Sequence, residues 1–372
     1  MISTLEERFE PVLEEARAQV LSGLRPSIQI AVDWQGRRCA DFAVGHEPTS
    51  PSARYLLWST TKPFVAIALL QLIEAGQASL DDRVTRFLPE FGQGGKESAT
   101  LAHVLTHRGG FPDNDAKTTI ELARIQSSWD EALRYVCEMP ARWEPGTDRG
   151  YHPRSGWFVL GEVIQRITSL PLTDVVRQRV LEPVGIDPQG FSLGDPARLD
   201  SPPLTVRTAP RRGSPSEREA ELWSAPKTLG AVIPGAGGIS SANQVIRFFR
   251  DLLDTLRTER AGMLSPAMAR CATFPHAVGI RDRTFLLDIP WGLGMHLKHV
   301  RASLDDCGQT ATPGTFGHGG HFLVNTAWAD PGKNLVFCTL SNGLAPAREG
   351  RRGVERLSQA VHDVVDHALD RA

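Results

Sequence analysis

Cysteine is scarce in this chain. The five thiols, Cys39, Cys137, Cys271, Cys307 and Cys338, are odd in number, widely spaced and include no C-x-x-C pair. That gives no signal of a disulfide framework or a zinc site and suits free thiols in a reducing compartment. No stretch of about 20 apolar residues occurs, so no membrane span is expected. The opening Met1-Ile2-Ser3-Thr4-Leu5-Glu6-Glu7 is acidic and amphipathic and lacks a basic n-region with an apolar run behind it, so no signal peptide is read and a cytoplasmic location is expected. An excess of one charge is missing too. Lys plus Arg number 41 against 43 Asp plus Glu, a net −2, which argues against broad binding to nucleic acid or an anionic membrane. The pairs Arg211-Arg212 and Arg351-Arg352 are short enough to be solvated surface. No internal repeat is found, and Gly237-Gly238 has no lysine behind it and completes no G-x-G-x-x-G, so nucleotide binding is rejected.

What remains is an ordinary globular composition, 41% hydrophobic and 23% charged, in a length of 372 that exceeds one typical domain. Helical spacing of Leu5, Phe9, Val12, Ala16 and Val20 predicts a first helix, capped by Ser3 or Thr4 and stopped before Gly23. Strands are expected over Ser27 to Trp34 and Arg38 to Val44. Helices are expected from Ser59 to Ala75, Thr100 to His107, Thr118 to Met139, Ser155 to Thr168, Leu172 to Leu181, Ala242 to Arg257 and Met263 to Cys271. Residues 186–235 are rich in Pro, Gly, Ser and Arg and read as functional loops. Strand character returns over Trp291 to Leu297, Thr315 to Gly317, Phe322 to Ala329 and Asn334 to Ser341, and a helix closes the chain over Gly353 to Ala368. Strands at both ends and helices between imply an α+β fold. Its antiparallel sheet is assembled from 1–79 plus 291–372 and flanked by terminal helices, with a mostly helical lobe over 80–290.

Three stretches carry chemistry. In Trp58-Ser59-Thr60-Thr61-Lys62-Pro63 the Ser59 to Lys62 spacing of three stacks both side chains on one helix face. A serine hydroxyl needs a base to become a nucleophile, and a buried lysine of lowered pKa can be one. The second stretch is Gly150-Tyr151-His152-Pro153, and the third is Gly317-His318-Gly319-Gly320-His321. With Leu105-Thr106-His107-Arg108-Gly109-Gly110, Gly237 to Ser241 and the final Ala327 to Gly343 run, they come in an order that resembles the serine β-lactamase-like hydrolases, within them the class C β-lactamase and family VIII carboxylesterase branch. The resemblance covers nearly the whole chain. It implies a β-lactamase/transpeptidase-like fold, Ser59 as nucleophile, Lys62 as its partner and Tyr151 as the residue that shares proton transfer. It places an oxyanion hole at the backbone N–H groups of Ser59 and His321, and substrate contacts at His318, Gly319 and Gly320. No cofactor is expected, and His318 and His321 form an H-x-x-H with no third ligand in sight, so no metal site is read. Either neutral Lys62 or a Tyr151 phenolate, its pKa lowered by a Lys62 ammonium, serves as base.

Two departures from the β-lactamase pattern are informative. Pro153 stands where those enzymes carry the asparagine of Tyr-x-Asn, and His318 stands where a lysine is frequent. Both favour carboxylic esters over lactams or D-peptides, with acyl transfer to another alcohol or amine as the alternative use of the same acyl-enzyme. The expected partner is a small-molecule ester or acyl donor. His152 is read either as a substrate contact or as the partner of a loop carbonyl. His103 and His107, four apart, are read as capping or core residues of one helix, since the Glu of H-E-x-x-H is missing. Trp58, Trp143, Trp223 and Trp291 are read as lining an acyl pocket or packing in core and rim. An α/β-hydrolase reading of His318-Gly319-Gly320 fails because that loop would precede its nucleophile and no G-x-S-x-G is read in the chain.

Overall fold

The computed structural model describes residues 5–113, 115–298 and 305–371, so the Ser3 or Thr4 cap lies outside the described residues. Its largest sheet has six antiparallel strands, in the spatial order Arg37–Gly45, Ser27–Trp34, Leu335–Ser341, Thr326–Asp330, Phe316–Gly319 and His296–Leu297. The join between the chain's two ends is the central pairing of Ser27–Trp34 with Leu335–Ser341, in register from Ile28 opposite Ser341 to Trp34 opposite Leu335. Both strands are buried along their full length, so side chains of period 2 feed two different cores. Ile28, Ile30, Val32, Leu335 and Phe337 face Val12, Ala16 and Val20 of the helix Glu10–Leu21 and Leu357, Val361 and Val365 of the helix Ala347–Leu369. Ala31, Val336, Cys338 and Leu340 face the larger core, shared with Phe248 and Phe249 of the helix Ala242–Thr258 and with the helix Lys62–Glu74.

That last helix is apolar on every side, from Phe64 through Leu70 and Leu72, all without exposed surface. Such a helix can only sit inside a protein. Gln71 is accommodated because its amide donates to the carbonyls of Arg179 and Met263. Pro63 lies in the first turn, where a missing N–H costs little, and Gly76 at φ +72° ends the element. Beside it lie the helices Ser155–Thr168, Leu172–Val176 and Leu101–Leu105.

Several expected boundaries move for local reasons. The helix expected over Thr118 to Met139 is two, Ala116–Ile125 and Trp129–Glu138, because Asp115 and Ser128 each cap a start by accepting backbone N–H bonds. Met263 to Cys271 begins later, at Pro266, behind a Ser265 cap. The first helix is broken into Leu5–Arg8 and Glu10–Leu21 beside Pro11. Of Trp291 to Leu297 only His296–Leu297 is strand. The strand expected from Phe322 begins at Thr326, because His321–Leu323 form a tight 3-10 turn with Leu323 at φ +51°.

Candidate active site

The nucleophile stretch begins as a 3-10 turn, Trp58–Thr61, and becomes α-helical only at Lys62. In a 3-10 turn residues three apart eclipse one another. Ser59 and Lys62 therefore meet, with Lys62 Nζ 2.8 Å from Ser59 Oγ. Trp58 takes φ +52°, a conformation that costs a non-glycine residue about 1–3 kcal/mol and persists only where surroundings enforce it. Here the enforcement is packing. The indole stacks on His321 at 4.9 Å and packs tilted by 60° against Trp223 at 4.6 Å between ring centroids.

Tyr151 reaches Ser59 from the other side, its hydroxyl donating to Ser59 Oγ at 2.9 Å. Lys62 Nζ also contacts two carbonyls, Pro153 O at 2.9 Å and Gly235 O at 2.7 Å. The amine has no exposed surface, and burial pushes its pKa well below the ordinary lysine value; the charge of Asp113 opposes this shift and that of Arg154 adds to it. A neutral amine has two hydrogens and one lone pair. In that form the carbonyls of Pro153 and Gly235 take the hydrogens and the lone pair faces the Ser59 hydroxyl. Burial also pushes the Tyr151 phenol up, only partly offset by its bond to Ser59. The expectation of a Lys62 ammonium lowering the tyrosine pKa is thus not met. Burial favours the neutral form of both partners of Ser59.

The third stretch closes the other wall. Phe316–Gly319 is a strand of the main sheet, and Thr60 Oγ1 donates to the His318 carbonyl at 3.2 Å. Gly320 follows. A Cβ there would stand 3.1 Å from Asn325 Cβ, 3.2 Å from Trp58 Cβ and 3.4 Å from Leu57 O, so glycine is what lets this backbone lie against the nucleophile turn. His318 is buried, which pushes its pKa well below the ordinary histidine value, with His296 and Lys62 adding to the shift. Its Nδ1 lies 2.7 Å from the Gly319 carbonyl, which can only accept, so Nδ1 carries the proton. The His321 ring nitrogen Nε2 lies 2.7 Å from Glu219 Oε1, and this bond holds the Glu219 carboxyl below its usual range.

His152 has no exposed surface. It packs edge-on against Phe111 at 4.7 Å and stacks on His107 at 5.6 Å. Neither ring nitrogen finds a partner among the described residues, so it satisfies no loop carbonyl. Burial lowers its pKa to about 4. His107 corrects the reading of one helix with His103. His103 is the third residue of the helix Leu101–Leu105 in a capping box with Thr100, but His107 lies beyond that helix at φ +59°. Its Nδ1 accepts the His152 backbone N–H at 3.1 Å, which ties the Leu105 to Gly110 run to the tyrosine segment. Of the four tryptophans, Trp58 and Trp223 flank the nucleophile turn, Trp291 is fully buried and stacks on Tyr151 at 5.7 Å, and Trp143 lies under Arg283.

Sequence reasoning missed four participants. Asp113 is fully buried and accepts from Ser155 Oγ at 2.8 Å and from the backbone of Arg154 and Ser155, which anchors the helix that follows Tyr151. Glu219 lies on the helix Glu217–Ser224, within the 186–235 stretch expected to be loop, Phe285 packs on Tyr151 at 5.1 Å, and Asp306 stands behind His296 at 3.8 Å. None carries a local signal. The reading that the chain holds no G-x-S-x-G pattern is corrected by Gly190-Phe191-Ser192-Leu193-Gly194. Its Ser192 lies in the short strand Phe191–Leu193, is 4% exposed, and accepts the Asp195 N–H. It therefore lacks the exposed strand-to-helix turn such a nucleophile needs.

The family model of beta-lactamases matches residues 14–361. The esterase EstB of Burkholderia gladioli is 30% identical over 348 residues, which cover 86% of this chain and 83% of that protein. In fold, a penicillin-binding protein homologue from Caulobacter crescentus matches with a TM-score of 0.79 at 24% identity, over 97% of this chain and 99% of its own. EstCE1, a hydrolase with promiscuous acyltransferase activity, matches with a TM-score of 0.77 at 22% identity, over 97% and 99%. No helix among the described residues is long and apolar enough to cross a membrane. From a family match along nearly all of its length, and a relative of that identity and coverage, the chain belongs to the beta-lactamase family of serine hydrolases.

Proposed function

We propose that the protein is a serine esterase that works through an acyl-enzyme on Ser59. The observation that carries this is the position of Ser59 Oγ, 2.8 Å from a desolvated amine and 2.9 Å from a neutral phenol. Lys62 takes the hydroxyl proton as Oγ attacks the ester carbonyl. The oxyanion that forms is held by the N–H groups of Ser59 and His321, a reading supported by the close approach of Gly320 to Trp58 and Leu57. The proton passes from the Lys62 ammonium through Tyr151 to the departing alkoxide, and the alcohol leaves. Water then attacks the acyl-Ser59 carbonyl and gives its proton back along the same pair, releasing the acid and restoring the serine. Gly319 and Gly320 line the path of the substrate. Asp113 and His152 sit behind Lys62 and Tyr151 as positioning residues.

Esters are favoured over lactams because two substrate-holding groups are different here. Pro153 offers no amide side chain. His318 is held neutral by burial, so it presents no fixed positive charge to a lactam carboxylate. The name of EstB, the relative at 30% identity, agrees. The test is labelling by a fluorophosphonate and turnover of nitrophenyl esters by wild type and Ser59→Ala. Turnover that survives in Ser59→Ala refutes the assignment. Adding an alcohol or amine acceptor separates hydrolysis from transfer, and a product dominated by the transferred acyl group at low acceptor concentration makes the protein an acyltransferase instead.

A further inference from the structure

Exposed large hydrophobic side chains are few on this protein, and they are unevenly placed. Among the described residues eight stand out, and four of them, Phe274, Val278, Leu286 and Leu287, lie between positions 274 and 287, at 65%, 47%, 60% and 40% exposure. Single exposed leucines need no explanation, whereas a group of them on one loop marks a surface that something apolar covers.

This loop is built, not slack. Arg149, two residues before Tyr151, has no exposed surface, and its guanidinium donates to the carbonyls of Ala277, Ile280 and Ile289. The Arg283 N–H donates to the Arg149 carbonyl at 3.0 Å and the His276 N–H to Trp291 O at 2.9 Å, so the loop is closed onto the tyrosine segment at both ends. At its tip Asp282 Oδ1 accepts the N–H groups of Thr284 and Phe285, and the Asp282 N–H donates to Leu287 O at 2.7 Å. Leu286 is thereby held at φ +57°. A bulky residue in that conformation is over-determined by its surroundings. The result is a division of labour along the tip. Phe285 turns inward onto the Tyr151 ring, and Leu286 and Leu287 turn outward to solvent. Tyr151, Ile289, Trp291 and Phe285 form an apolar cluster separate from the main core. The apolar wall behind the tyrosine is therefore supplied by this loop.

We propose that the 274–287 loop is the chain-binding element of the Ser59 site, and that the substrate is an ester with an extended apolar acyl chain laid along Phe285, Leu286 and Leu287. This rests on the esterase reading above. Phe285 packs on the ring of Tyr151, whose hydroxyl lies 2.9 Å from Ser59 Oγ, and the exposed Leu286 and Leu287 follow it in the chain, so the apolar surface begins at the reacting group and runs outward, where the substrate's own chain is the occupant that arrives with every turnover. The loop acts on recognition, since its side chains meet the chain and not the reacting atoms.

The experiment compares kcat/KM for nitrophenyl acetate and nitrophenyl octanoate, both below their solubility limits, in wild type, in Leu286→Ser/Leu287→Ser, and in Leu21→Ser as a control at a distant exposed leucine. Wild type is expected to prefer octanoate at least tenfold. The double variant is expected to lower the octanoate-to-acetate ratio at least tenfold, and Leu21→Ser is expected to leave it unchanged. A wild type that prefers acetate overturns the proposal, as does a double variant with an unchanged ratio. So does activity that appears only above the solubility limit, which would make the loop a docking surface for a lipid interface. Absence of ester turnover in wild type, or turnover that survives in Ser59→Ala, would instead strike the esterase reading, so the two failures are distinguishable.

Discussion

At the scale of the residue, the site turns on where one proton rests. Lys62 can serve as base only while neutral, so kcat/KM should fall as pH falls through its folded pKa, which burial has moved well below the lysine value. The group responsible can be identified. Tyr151→Phe should lower kcat/KM by about 10²- to 10⁴-fold while the acid limb stays where it was. If the limb vanishes in Tyr151→Phe, the base is the phenol. The linkage to stability has a definite sign. A lysine whose folded pKa is lowered binds fewer protons folded than unfolded, so its contribution to stability improves as pH rises towards the unfolded value and is worst at low pH. Asp113 gives a second prediction. Asp113→Ala removes the carboxylate that Arg154 and Ser155 share, and leaves a guanidinium only 8% exposed without its ion pair. Breaking a buried pair from one side costs about 3–5 kcal/mol. Denaturant unfolding should show a loss of that order, with activity falling in parallel because Asp113 anchors the start of the helix Ser155–Thr168, directly behind Tyr151 and the Pro153 carbonyl that Lys62 contacts.

At the scale of the element, the site is a meeting of one turn, one loop and one strand, and glycine sets how close they come. Gly320→Ala would press a methyl group against Trp58 Cβ and Leu57 O at 3.2 and 3.4 Å, a crowding relieved by shifts of a few tenths of an ångström. Since a misplacement of about 1 Å can cost about 10²-fold, kcat/KM should fall by roughly tenfold with little change in stability. Gly317→Ala is different in kind. Its Cβ would lie 2.7 Å from Trp328 Cα, deep in the sheet, and it should destabilise by about 1–3 kcal/mol or more, read as a shifted denaturation midpoint. Much of this level was legible in the sequence. Ser27–Trp34 and Ser155–Thr168 fall where their patterns place them, because β-branched alternation and a long helical apolar face are local signals. Ser59, Lys62, Tyr151 and the His318 to Gly320 run could be found because each sits in a short ordered motif. Glu219, Asp113 and Phe285 could not, because each acts through a contact with a residue tens or hundreds of positions away, and nothing near them in the chain differs from an ordinary loop. His107 was misplaced for a related reason. Its spacing from His103 suits a helix, and only the left-handed turn after Leu105 takes it elsewhere.

At the scale of the whole molecule, burial of neutral histidine is widespread. Burial is the first cause of a lowered pKa at His107, His152, His318 and His362, to about 4 at His152 and His362. An unfolded chain protonates each near pH 6.5, so the folded state has its full share of stability above that value and loses it as pH falls towards about 4. Each group contributes up to about 1.4 kcal/mol per pH unit in that window. Unfolding free energies between about pH 7 and 4.5 should therefore fall steeply, and His362→Gln, far from Ser59 and stacked on Trp328, should flatten the slope without touching the site. The topology has a consequence for the order in which the protein comes into being. The strand Ser27–Trp34 has two neighbours, and one of them, Leu335–Ser341, leaves the ribosome some three hundred residues later. At a synthesis rate of about 5–20 residues per second, the first two of the sheet's six strands wait for their partner for roughly 15 to 60 seconds. During that interval Ser59 and Lys62 already exist on the nascent chain while the His318 to His321 wall does not. A reactive serine is thus silent until synthesis is nearly over, and a ribosome-bound chain truncated before that wall should not label with fluorophosphonate, whereas the released chain should.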